Sequence, residues 1–197
     1  MIAKKRFYNL IKRILDIVLS ACLIIFLSFP MLLIYAAVRL SSRGEAIFRQ
    51  KRVGKDGRIF TCYKFRTMYR YSPNNVPTSS FLGAERYITP VGRVLRKTSL
   101  DELPQLFNVF KGDMSLVGPR PLIENEGEIH LLRKRCGVYR IRPGITGLAQ
   151  INGRDGVGDI EKARYDAKYA RTMGLVQDTK IIFGTLGIAL QGKGVAH

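Results

Sequence analysis

Between Ile17 and Val38 the chain runs for twenty-two residues without a formal charge, and basic residues crowd both ends of that run. At 1.5 Å per residue, a helix of this length measures about 33 Å, enough to cross a hydrocarbon core of about 30 Å. The flanks oppose a simple crossing. Lys4, Lys5, Arg6, Lys12 and Arg13 precede the run, and Arg39, Arg43, Arg49, Lys51 and Arg52 follow it. The positive-inside tendency assigns both sides to the cytoplasm, which a single span cannot satisfy. Pro30 removes a backbone donor and loosens the helix at the Phe26 carbonyl, while Ser28 can hydrogen-bond a carbonyl of the preceding turn. A helix that enters, bends near Ser28-Phe29-Pro30 and returns to the same face reconciles these facts. A spanning helix with an internal proline is the competing arrangement. A cleaved signal peptide fits poorly, because the run is long and no small-x-small site follows it. Asp16, beside Lys12 and Arg13, reads as an interfacial or helix-end charge.

The charge balance narrows the partners. Thirty-three Lys and Arg face fifteen Asp and Glu over 197 residues, a formal net charge of +18. Such an excess favours a polyanion: nucleic acid, anionic lipid headgroups or a nucleotide diphosphate. Residues 1–60 hold twelve of the cations against three acids, and they contain the apolar run. A basic fringe around an apolar segment points to a cytoplasmic membrane face, with membrane lipid as a partner. Nucleic acid is not expected as a partner, since few aromatics interleave with the basic residues after Phe81. Cys22, Cys62 and Cys136 have no close spacing, which argues for free thiols and against a zinc site.

The remainder reads as an α+β domain, mainly helical, over residues 41–197, with 1–40 as the basic N-terminus and membrane helix. Residues 47–53 and 58–65 alternate around Gly54-Lys55-Asp56-Gly57, which predicts a β-hairpin whose polar face presents Arg49, Lys51, Arg58 and Lys64. Tyr71 to Phe81 reads as an exposed loop. From Pro90 the pattern turns helical, with Ser99 as an N-cap and Glu102 at capping-box spacing. Leu103, Leu106, Phe107, Val109 and Phe110 make an apolar stripe that Gly112 ends. Two prolines bracket Arg120 and exclude a helix there. Helical spacing resumes over Glu124–Cys136, Ile160–Met173 and Thr179–Leu190.

Asp101 and Glu102 are the candidate chemistry. Two adjacent carboxylates sit among Arg93, Arg96, Lys97, Lys111 and Arg120. No Walker loop, dinucleotide GxGxxG or HExxH pattern is present. The remaining reading is a carboxylate nucleophile on phosphorus, with Mg²⁺ offsetting the developing charge. Arg96, Arg120, Arg142 and Arg154 lie in or beside turns that can hold a guanidinium fork against phosphate oxygens. A polar helix start is the plain alternative for the Asp-Glu pair.

Several stretches then occur in a familiar order: Lys12-Arg13-Ile14-Leu15-Asp16, Phe48-Arg49-Gln50-Lys51-Arg52-Val53-Gly54, Tyr63-Lys64-Phe65-Arg66-Thr67-Met68, and Ser99 through Val109. Lys111-Gly112-Asp113-Met114-Ser115, Gly118-Pro119-Arg120-Pro121-Leu122 and Arg142 through Arg154 complete the set. With these, the chain resembles the bacterial monotopic phosphoglycosyl transferases, the initiating sugar transferases of glycoconjugate assembly. The resemblance implies transfer of a sugar 1-phosphate from a UDP-sugar to polyprenol phosphate, with release of UMP, at the cytoplasmic face of the inner membrane. It implies Asp101 as nucleophile through a covalent phosphosugar intermediate, with Glu102 completing the dyad and either carboxylate holding Mg²⁺. It also implies Lys64 and Arg120 as residues needed for activity, and Arg96, Arg142 and Arg154 as phosphate or uridine contacts. The implied fold is a re-entrant helix joined to a small domain with a short antiparallel sheet and interfacial helices. Two departures stand out. Ser28-Phe29-Pro30 replaces the Ser-Pro common at the helix break, and the long domain that precedes these motifs in larger relatives has no counterpart. A membrane-tethered nucleic-acid-binding module and a spanning scaffold without chemistry are the rival functions.

Overall fold

The computed structural model describes residues 2–73, 83–153 and 158–191. Helix α1 (Ile2–Phe26) and helix α2 (Ser28–Ser41) carry the apolar run, and they meet at Leu27 with a bend of 63°. The break therefore falls one residue before Ser28. Pro30 sits in the first turn of α2, where its missing N–H would have had no intrahelical partner. Ser28 Oγ donates to the Ile25 carbonyl, in the turn before the bend, at 2.7 Å. No single described helix is long and apolar enough to cross a membrane, whereas the bent pair together passes by length and composition. Its apolar side chains face outward: Ile25, Phe26, Phe29 and Leu32 are each more than 60 % exposed.

The hairpin forms as expected. Strand β1 (Ile47–Val53) pairs antiparallel with β2 (Ile59–Phe65), and Asp56 turns the chain at φ 56°. Its register corrects the predicted polar face. Arg49 and Lys51 lie opposite Tyr63 and Thr61, but Lys64 lies opposite Phe48 and so projects from the other face. One step along a strand reverses the side chain, and that step sends Lys64 toward the carboxylates.

Helix α3 (Pro90–Thr98) starts on Thr89, whose hydroxyl accepts from Gly92 N at 2.9 Å. Ser99 is not the predicted N-cap. It ends α3 in the left-handed region at φ 58°, its N–H bonded to the Arg96 carbonyl, and its side chain makes no capping bond. A tight turn, Leu100–Glu102, follows, and α4 (Gln105–Lys111) begins only after Pro104. The capping box is thus absent because Glu102 has stronger partners elsewhere. Of the apolar stripe, Leu106 and Val109 are buried while Phe107 and Phe110 stay over 40 % exposed, so it divides between core and surface.

Strand β3 (Ser115–Val117) pairs in parallel with β4 (Gly144–Thr146), a pairing that the Gly/Pro-rich pattern around Arg142 did not suggest. Helices α5 (Glu128–Arg135), α6 (Leu148–Ile151), α7 (Asp159–Thr172) and α8 (Leu175–Gln191) close around them. Two apolar clusters lie along the hairpin. Phe65 packs with Val38, Ala46 and Leu95, and Phe60 and Cys62 pack with Val109 and Met114. Val117, Leu148, Tyr169 and Ile181 fill the next layer.

Buried polar side chains tie these layers together. Arg66, the residue after β2, donates to the carbonyls of Val38, Ser42 and Arg43 and so closes the C-terminal end of α2. Asn108, fully buried, accepts from Tyr63 N at 3.1 Å and donates to Thr61 O at 2.7 Å, pinning β2 to α4. Asp16 lies in the middle of α1 and not at a helix end. It is buried and accepts from Ser115 Oγ at 3.1 Å and Leu116 N at 3.0 Å, docking α1 on β3. The expected loop over Tyr71–Phe81 lies largely outside the described residues.

Candidate active site

The turn Leu100–Glu102 delivers both carboxylates to the inner face of the hairpin. Lys64 Nζ lies 2.7 Å from Glu102 Oε1 and 4.0 Å from Asp101 Oδ2. Arg120, held extended by its flanking prolines, reaches the same Glu102 oxygen at 3.2 Å. Arg96, in the last turn of α3, donates from Nε to Thr67 Oγ1 at 3.0 Å and is close enough to act on the Asp101 charge. Asp101, Glu102, Lys64, Arg120 and Arg96, separated by up to 56 positions in the chain, thus converge.

The two carboxylates are held differently. Burial works to raise the Glu102 carboxyl, but Lys64 and Arg120 outweigh it and hold it down to about 2. Burial raises the Asp101 carboxyl, and Glu102 adds to that, while Lys64 pulls against it without reversing it. Glu102 is therefore a fixed anion that orients Lys64 and Arg120. Asp101 is the more basic carboxylate and the one less tied down. Ser99, at positive φ two residues earlier, places strain next to the group.

Other sequence candidates lie apart. Arg142 donates from Nε to the Gly112 carbonyl at 2.8 Å, beside Arg13, and belongs to a separate basic cavity. Arg154 lies outside the described residues. Two supporting residues escaped the sequence reading. Arg133, on α5, donates from Nη1 to the main-chain carbonyl of Arg120 at 2.8 Å and is itself paired with Asp166 at 2.6 Å. Asn108 fixes the strand that carries Lys64, and its signal was visible: it is the one polar residue inside the stripe Leu106–Phe110.

For a divalent cation, the donor set is two neighbouring carboxylates. Among the described residues no three His, Cys, Asp or Glu side chains converge on one point. That fits Mg²⁺ held by one or two carboxylates and completed by substrate phosphates and water, and not a cage built wholly from protein.

The bacterial sugar transferase family matches residues 7–192 of the chain. The undecaprenyl-phosphate galactose phosphotransferase of Salmonella typhimurium is 39 % identical, over 96 % of this chain and 42 % of its own length. The exopolysaccharide production protein ExoY of Rhizobium meliloti is 36 % identical, over 93 % of this chain and 87 % of its own. The UDP-glucose:undecaprenyl-phosphate glucose-1-phosphate transferase of Escherichia coli is 41 % identical, over 90 % and 40 %. The chain spans about two fifths of the longer relatives and most of ExoY. With a family match across nearly its whole length and a carboxylate pair set among cations, the chain belongs to the bacterial sugar transferases.

Proposed function

We propose that the chain transfers a sugar 1-phosphate from a UDP-sugar to polyprenol (undecaprenyl) phosphate, releasing UMP, as the first membrane step in building a surface glycan or glycoconjugate. The observation that carries this reading is the asymmetry between the carboxylates: Glu102 is locked by two cations while Asp101 is buried and more basic. In the first step an Asp101 oxygen attacks the sugar-bearing phosphorus, forming an acyl phosphate. The bond from that phosphorus to the bridging oxygen breaks, and UMP leaves with the electron pair. In the second step a phosphate oxygen of the polyprenol attacks the same phosphorus and returns the carboxylate, so no net proton is consumed. Lys64 and Arg120 face the transferring oxygens, with Arg96 behind them, and their fixed placement costs no reorganisation as charge shifts. Asp101 and Glu102 would hold Mg²⁺, which supplies charge neutralisation for the diphosphate.

A lipid acceptor requires the site to lie near the bilayer. Val94, Leu100, Phe107 and Phe110 leave apolar surface exposed on the elements around the carboxylates. Together with the bent, outward-apolar helix pair and the cations at both of its ends, this supports a re-entrant helix on the cytoplasmic face of the inner membrane. The decisive experiment incubates the protein with labelled UDP-sugar and Mg²⁺ in the absence of acceptor. A phosphosugar adduct is expected on the peptide containing Asp101, discharged on adding polyprenol phosphate and absent in Asp101→Asn. Steady UMP release with no adduct at any time would replace the covalent route with direct displacement.

A further inference from the structure

A cavity rich in basic side chains lies away from the carboxylates. It measures about 60 Å³ and lies between α1 and the β3–β4 layer, and neither Lys64, Asp101 nor Glu102 lines it. A single water needs roughly 10–15 Å³ on the same measure, so the space admits a phosphoryl group. Its walls carry Lys12, Arg13, Lys55, Arg140 and Arg142, against Asp16 as the one acid lining it among the described residues. Lys12 is paired with Asp178, and Asp16 is occupied by Ser115 and Leu116. The other cations are not neutralised in this way. Arg13 spends its two terminal nitrogens on the Val109 and Phe110 carbonyls, and its charge is opposed only through space, by Asp16 and Asp113. Among the described residues Arg142 bonds only through Nε, to Gly112, whose backbone also sits against the Arg13 guanidinium. No described acceptor is bonded to the terminal nitrogens of Arg142 or to the Arg140 side chain, and Lys55 has only Asp56 at 3.9 Å. Like charges gathered around one cavity, with donors that bond no described acceptor, form a receptor for an anion.

Position says which anion. Asn9, Lys12, Arg13 and Asp16 line the cavity from one face of α1, and the uncharged run begins at the next residue, Ile17. The cavity therefore sits where α1 passes from water to hydrocarbon, at headgroup depth, on the membrane placement proposed above.

We propose that this cavity binds the phosphodiester of an anionic phospholipid headgroup, as a lipid site separate from the one where acceptor lipid reacts. The bound lipid seats the α1 stem and offsets the Arg13–Arg142 repulsion. The test uses the full chain in nanodiscs of phosphatidylglycerol and phosphatidylcholine, with retained lipid counted by native mass spectrometry after transfer to detergent. Wild type is expected to keep about one phosphatidylglycerol in preference to phosphatidylcholine. Lys55→Gln with Arg140→Gln should weaken that preference by about fivefold per charge removed, ~25-fold for the pair. The control pair Arg49→Gln with Lys51→Gln removes the same charge from the exposed hairpin face and should leave retention nearly intact. Soluble glycerol phosphate at millimolar concentration should not displace the lipid. Equal loss in both variant pairs would reduce the effect to diffuse surface attraction and overturn the site. Displacement by glycerol phosphate, or by UMP, would assign the cavity to a soluble phosphate and likewise overturn it. Because the readout is retained lipid and not turnover, failure here leaves the transferase reading untouched, and failure of the adduct experiment leaves this one testable.

Discussion

Two groups of ion-paired side chains meet at Arg120, and they do opposite things. Arg133 and Asp166 are 4 % and 2 % exposed, lie 2.6 Å apart, and hold nothing open to a ligand. Lys64, Glu102 and Arg120 form the other group, with Arg120 still 42 % exposed and Asp101 at its edge. In the closed pair burial dominates, so the Asp166 carboxyl is raised although Arg133 opposes it. In the open group two cations converge on one carboxylate and lower it. A closed pair fixes geometry, and an open one leaves positive charge available for a phosphate. They are also connected, because Arg133 grips the backbone of Arg120.

The largest test of this contrast removes the loosely held carboxylate. Asp101→Asn should lower UMP release by at least about 10³-fold, as loss of a nucleophile does. Its fold should not suffer. Asp101 is raised in the folded state, so its ionised form costs stability once the pH exceeds the unfolded value, and the amide relieves that cost. A melting temperature equal to or above wild type at pH 7 is expected, and a marked fall would make Asp101 structural.

Breaking the closed pair should do the reverse. Arg133→Ala strands a buried carboxylate and should cost about 3–5 kcal/mol in urea unfolding. Replacing both partners, Arg133→Met with Asp166→Leu, should recover most of that stability. Activity should stay impaired through a raised KM, because the Arg120 carbonyl has lost its donor. Full recovery of KM would separate the two pairs after all.

A smaller effect is expected for Glu102→Gln, of ~1–3 kcal/mol at neutral pH. The sign follows from a depressed carboxyl. Its stabilisation is present above the unfolded value near 4.3 and is lost as pH falls through about 2. Wild type and variant should therefore converge in stability across that acidic window, read by denaturant titration at each pH. The smallest effect is a displacement of a pH limb. Arg96 helps to hold Asp101 down, so Arg96→Gln should move the acidic limb of adduct formation to higher pH. An unmoved limb would remove Arg96 from the electrostatics of the nucleophile.

Much of this architecture could be read from the residues. Alternation around Asp56-Gly57 gave away the hairpin, and Pro30 with its basic flanks announced a bend, placed within a few residues of Leu27. Asp101, Glu102 and Arg120 stand out as candidate chemistry from the residues, Lys64 enters through the family resemblance, and the fold brings the four together. What stayed hidden depends on register and on distance along the chain. The side of the strand that Lys64 occupies changes with a single step of pairing. Ser99 satisfied the local rule for a cap, yet the cations on β2 and beside Pro121 claim Glu102 from 38 and 18 residues away. Asp16 looked like a surface charge because its partners, Ser115 and Leu116, come about a hundred residues later.

Asn108 has a consequence beyond anchoring Lys64. A two-stranded ribbon is barely stable alone and presents raw edges that can recruit other chains. The carboxamide of Asn108 accepts from one residue of β2 and donates to the carbonyl two positions before it, which is how a neighbouring peptide group would bond. One side chain thus impersonates a third strand for a single rung, and it closes that stretch of the border to intruders.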